Sequence, residues 1–67
     1  MKLRIAELRQ AANIQQQELA KMVFLSQSAL SNIENNIKMP GLETAKRIAE
    51  VLNVKIDDLI KEKKGLV

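Results

Sequence analysis

The chain contains no cysteine, histidine, tryptophan or tyrosine, and has one phenylalanine, one proline and two glycines in 67 residues. Without cysteine, neither a disulfide framework nor a thiolate metal site can supplement the core, and the composition suits a reducing cytosol. Without histidine as well, the two commonest general bases and nucleophiles are missing, and sites of the HExxH or CxxC type are impossible. Gly41 and Gly65 stand alone, so no glycine-rich phosphate loop exists. The adjacent carboxylates Asp57 and Asp58 suit the positive end of a helix dipole better than acid–base work. These absences argue against an enzyme and imply no cofactor, no metal and no small-molecule substrate. No apolar run approaches the roughly 20 residues a membrane span requires, and Met1 to Gln10 lacks the apolar core of a signal peptide. The expectation is a soluble, cytoplasmic protein with no membrane partner.

What the chain does have is aliphatic: nine Leu, seven Ile, four Val and seven Ala. A single domain over residues 1–67 buries only about 60% of the surface its unfolded chain exposes, so its core must be compact and local. The net charge of +3 is a mild bias toward a polyanionic partner. Apolar residues recur at helical spacing and never strictly alternate, which predicts an all-α fold of five short helices. The first runs from about Lys2 to Ala12 with Ile5, Leu8 and Ala12 inward. The second covers about Gln16 to Val23 with Leu19, Ala20 and Val23 inward. Ser26 is a good N-cap for a third, about Gln27 to Asn35, burying Leu30 and Ile33. After the loop "NIKMPG" a fourth, about Leu42 to Leu52, buries Leu42, Ala45, Ile48, Ala49 and Leu52. A fifth is expected over about Ile56 to Lys61, followed by a frayed tail from about residue 62.

The helix-turn-helix unit, about residues 16–35, is the informative stretch. Two helices about three residues apart can cross steeply only where a side chain is small, and Ala20 falls at that crossing. With Leu30 and Ile33 inward, the third helix turns Gln27, Ser28, Ser31 and Asn32 outward. That face is short, polar and uncharged. Its amides and hydroxyls both donate and accept, which suits reading base edges in a major groove. The alternative is a plain solvated face, but such faces usually carry Lys and Glu, and none occurs from Ser26 to Ile33.

Three motifs, "LRQAANIQQQELA" (8–20), "LSQSALSNIEN" (25–35) and "PGLETAKRIAEVLNVKIDDL" (40–59), occur in the order and spacing of one family. The chain resembles Cro-type, lambda-repressor-like (XRE-type) helix-turn-helix regulators from about Ile5 to Ile60. The resemblance implies five helices with the third as recognition helix in the major groove of double-stranded DNA. It carries base reading onto Gln27, Ser28 and Asn32 with Ser31 beside them, and phosphate contact onto Gln16, Asn35 and Lys38. Arg9 and Glu34 match a structural ion pair. It further implies a repressor that binds a palindromic operator as a homodimer, with Ile60 and Leu66 as interface candidates. Within the same fold the alternative is an antitoxin-like regulator that also binds a regulatory partner protein. In another class, it is a helical protein-interaction domain without DNA binding. The length leaves no room for a ligand-sensing domain.

Relatives usually have glycine where this chain has Asn13, Phe24, Asn36 and Asn53. Asparagine is the best non-glycine residue for the left-handed region, so the same backbone demand is expected at all four positions. Phe24 alone departs from that chemistry. Either its ring lies over the edge of the core beside Leu25, or with Met22 it forms an apolar partner site.

Overall fold

The structure, a computed structural model, describes residues 2–60. Among them are four α-helices: α1 Ile5–Ala11, α2 Gln16–Met22, α3 Gln27–Glu34 and α4 Leu42–Leu52. A single 3-10 turn, Ile56–Leu59, follows. The all-helical class and four of the helices agree with the periodicity, except that α1, expected from about Lys2, begins at Ile5 because Leu3 is drawn into an antiparallel pairing with Ile60. The fifth α-helix does not form. Asp58 Oδ2 accepts from the Lys55 N–H at 3.0 Å, while the Asp58 N–H donates to the Lys55 carbonyl at 2.9 Å. Together these close a tight three-residue turn, and Ile60 then leaves in extended conformation to pair antiparallel with Leu3. Four residues drawn straight into such a pairing never reach the i→i+4 bonding of an α-helix. The tail expected to fray from about residue 62 lies outside the described residues.

Each α-helix stops by the same device. Asn13, Phe24, Asn36 and Asn53 all have φ near +60°. In every case the next residue donates back five positions: Ile14 to the Arg9 carbonyl, Leu25 to Ala20, Ile37 to Asn32 and Val54 to Ala49, at 2.8 to 3.1 Å. This is the Schellman arrangement, which satisfies carbonyls that a helix end leaves unpaired. It also explains the apolar residue after each left-handed one, because that position commonly packs back on the helix. Ile14, Leu25 and Val54 do so against the core. Ile37, 72% exposed, does not.

Phe24 therefore adopts the left-handed conformation, which costs a bulky residue about 1–2 kcal/mol. The ring does not lie over the core edge. It is 77% exposed, with the Arg47 guanidinium 5.0 Å from its centroid. Because little burial accompanies the strain, Phe24→Gly is expected to change unfolding stability by less than about 1 kcal/mol, relief being offset by the freedom glycine gains in the unfolded chain. Urea unfolding would measure this, and a larger loss would make the ring a structural residue.

The core is aliphatic. Ile5, Leu19, Val23, Leu30, Ile48 and Leu59 are fully buried, with Ala20, Ile33, Ala49 and Leu52 around them, and among the described residues no polar residue is buried over its whole length, although the side chain of Glu34 is only 4% exposed. Ala20 is buried at 2% exposure, and its carbonyl accepts from the Leu25 N–H in the turn between α2 and α3. Ala12 and Leu42, expected inward, are exposed, and so is Ile56. Ala12 falls past the last turn of α1. Leu42 and Ile56 each open their element, where the Cα–Cβ bond tilts toward the N-terminus and carries the side chain past the edge of the core. The described ends are clasped together: the Arg4 N–H donates to the Leu59 carbonyl at 2.8 Å, and Arg4 Nε to the Asp58 carbonyl at 2.8 Å. The Leu3 N–H donates to Asn36 Oδ1 at 3.0 Å.

Candidate nucleic-acid interface

Local chemistry sets both helices of the unit. Glu18 Oε1 accepts from the Gln15 N–H at 3.2 Å, tying down the start of α2. Ser26 Oγ accepts from the Ala29 N–H at 3.1 Å and caps α3. Leu30 and Ile33 anchor the inner face of α3 in the core. The helix consequently has one rotational setting, and Gln27, Ser28 and Asn32 are exposed on its outer side. Ser31 is half-buried, and its hydroxyl accepts from Asn35 Nδ2 at 3.4 Å. Asn35 and Lys38 are exposed beyond the end of α3, where the Lys38 N–H donates to the Asn32 carbonyl at 3.2 Å.

Behind this face runs a relay of side chains. Arg9 grips Glu34 with two bonds, Nε to Oε2 at 2.7 Å and NH2 to Oε1 at 3.2 Å, and Arg9 NH1 donates to the Ile14 carbonyl at 2.9 Å. Gln16 Nε2 donates to Glu34 Oε1 at 3.0 Å, and Gln27 Nε2 donates to Gln16 Oε1 at 3.2 Å. The ion pair is largely sequestered, with side-chain exposures of 12% for Arg9 and 4% for Glu34. Its carboxylate can only accept, so Gln16 must present its amide nitrogen to it and its oxygen to Gln27. Gln27 in turn must offer its nitrogen to Gln16. That leaves the Gln27 oxygen and one amide hydrogen facing outward, the acceptor-plus-donor pair that adenine N6 and N7 match.

The structure brings Gln16 to Gln27, leaves Ser28 and Asn32 exposed along the same helix, and places Asn35 and Lys38 beyond its far end. The Gln16–Gln27 bond went unread. Its signal was available: glutamines that open α2 and α3, with Glu34 one helix away. Ile60 is half-buried and Leu66 lies outside the described residues. Sequence reasoning also missed an apolar groove of about 170 Å³ in which Ile60 joins Leu3, Met39, Pro40, Leu42, Ala45, Ile56 and Leu59. Among the described residues no helix is long and apolar enough to cross a membrane.

A family model described as helix-turn-helix matches residues 5–59. An uncharacterized HTH-type transcriptional regulator of Archaeoglobus fulgidus is 39% identical over 59 residues, spanning 88% of this chain and 83% of the relative. Among solved structures, the P22 c2 repressor protein in complex with synthetic operator 9T superposes with a TM-score of 0.81 at 32% identity, over 90% of this chain and 91% of that one. The SinR protein/SinI protein complex gives a TM-score of 0.80 at 30% identity, with 88% of this chain but only 58% of that one covered.

Proposed function

The chain belongs to the XRE-type, lambda-repressor-like helix-turn-helix family of DNA-binding transcriptional regulators, and from that premise we propose that it represses transcription in the cytoplasm by binding a palindromic operator as a homodimer. In this reading α3 lies in the major groove. Gln27, Ser28 and Asn32 read base edges with Ser31 beside them, its hydroxyl bonded to Asn35, and Gln16, Asn35 and Lys38 hold the phosphate backbone. The observation that carries the reading is the outward face of α3, which is uncharged along its reading length and has its Gln27 amide fixed in polarity by Glu34 through Gln16. A solvated face needs no such relay. A preorganised amide loses less rotamer freedom on contact, and its donor–acceptor pair selects adenine over guanine, which offers two acceptors.

Selection of bound duplexes from a random pool would supply the operator, and two variants then test the assignment. Gln27→Ala should lose about 1–3 kcal/mol on the preferred site and relax discrimination at one base pair. Lys38→Ala should weaken all sequences alike and reduce the slope of log K against log salt by about one. If Lys38→Ala altered base preference while Gln27→Ala did not, the reading face would be misassigned. Homodimerisation is proposed to use the apolar groove, through Leu42, Ile56 and Ile60, with Leu66 a further candidate. The similarity to a regulator solved with a second protein, SinR with SinI, supports a regulatory partner protein as a second reading.

A further inference from the structure

The helix-turn-helix reading leaves Phe24 unused. At the three equivalent helix ends the chain has asparagine, which takes the left-handed conformation with less strain. At the fourth it has a phenylalanine whose ring is exposed, so neither backbone preference nor burial explains the residue. Strain kept without compensation from the core points toward function. Met22, also exposed, ends α2 two residues earlier. Arg47, from α4, stacks its guanidinium on the ring. We propose that Phe24, Met22 and Arg47 form a docking surface for a partner protein, and that the partner presents an apolar side chain flanked by carboxylates.

Composition supports a protein occupant. Aromatic residues, methionine and arginine are the types enriched at the centre of protein interfaces, and this surface unites one of each. Charge specifies the chemistry of the partner. Glu43 meets Arg47 at 3.7 Å between exposed side chains, a long contact that leaves most of the five guanidinium donors for another anion. Lys21 and Lys46, exposed neighbours of Met22 and Arg47 along the chain, have the same sign. The cation also fixes the ring: stacking holds one face of Phe24 against Arg47 and leaves the other as a preformed apolar platform. Phe24 belongs to the turn and Arg47 to α4, neither to the outward face of α3, so a partner and DNA need not compete for the same side chains.

A random peptide library displayed on phage, selected on the full chain in competition with the Phe24→Asn variant, tests the surface. Recovered peptides should share an apolar residue flanked by Asp or Glu, and synthetic versions should bind Phe24→Asn and Arg47→Gln at least tenfold more weakly than the parent. Arg47→Gln should keep the parent's melting temperature, Phe24→Asn should match or exceed it as backbone strain is relieved, and both should keep the parent's affinity for operator DNA. The proposal is overturned if no peptide distinguishes the parent from Phe24→Asn, or if the selected peptides are basic. It is equally overturned if either variant loses DNA affinity, which would assign the surface to the nucleic-acid interface, or if Phe24→Asn melts at lower temperature, which would make the ring part of the fold.

Discussion

Replacing Arg9 with alanine is expected to destabilise the protein by about 3–5 kcal/mol, because it strands a buried carboxylate rather than because it deletes an attractive pair. Glu34 is 4% exposed and receives two bonds from Arg9 and one from Gln16. Without the guanidinium it retains only the Gln16 amide, and the Ile14 carbonyl loses its side-chain donor as well. A chain of this length has roughly 3–10 kcal/mol of total stability, so Arg9→Ala should leave a large unfolded fraction at room temperature. The companion Arg9→Met with Glu34→Leu removes both charges and should recover most of that loss, since a buried ion pair rarely outperforms an apolar pair of similar volume. Yet the folded double variant should bind its operator poorly, with Gln16 and Gln27 no longer oriented from behind. Urea unfolding and DNA titration on the two variants would separate these roles. A loss below about 1 kcal/mol in Arg9→Ala would show that Glu34 is not truly desolvated, and full operator binding by the double variant would remove the relay from readout.

Much of this architecture was legible because the periodicity that builds it is local. Leu19, Val23, Leu30 and Ile33 mark the inner faces of α2 and α3 by spacing alone, and fixing those faces fixes Gln27, Ser28 and Asn32 outside. The left-handed helix ends were equally visible, since asparagine at three of four positions reports a demand on φ that no contact is needed to infer. Where the reading failed, position within an element decided the outcome. Leu42 fits the apolar stripe of α4 as well as Ala45 or Ile48 does, but it occupies the first residue, where no earlier turn exists for it to pack beside. Likewise the fifth helix was expected from composition around Asp57 and Asp58, and was pre-empted by a pairing between Ile60 and Leu3, 57 residues apart along the chain (60 − 3). Long-range backbone partners of that kind leave no periodic trace. Nor does the stack of Arg47 on Phe24, which requires α4 to lie beside the turn.

The outward displacement of Leu42 matters for assembly. One recognition helix touches too few base pairs to single out an operator among many competing sites, which is the reason for the homodimer proposed above. The family geometry sets paired recognition helices about 34 Å apart on one face of the duplex. Leu42, 71% exposed, stands with Met39, Ile56 and Ile60 around an apolar groove that solvent would otherwise wet. Of these, Ile60 shares its backbone with the terminal clasp, so a charge there risks the fold as well as the interface. Leu42 carries no such risk. As the first residue of α4, a glutamate in its place would sit near the positive end of the helix dipole and should leave stability unchanged or slightly improved. In the proposed dimer the same glutamate would be desolvated against apolar neighbours. Leu42→Glu is therefore expected to bind a full palindrome about 100-fold more weakly than the parent, the avidity of a second linked site being lost, while affinity for an isolated half-site stays the same. Sedimentation on DNA would show one copy per palindrome where the parent places two. Should Leu42→Glu occupy the palindrome as tightly as the parent, in pairs, the groove is not the dimer interface, and the two-fold contact must be built from another surface.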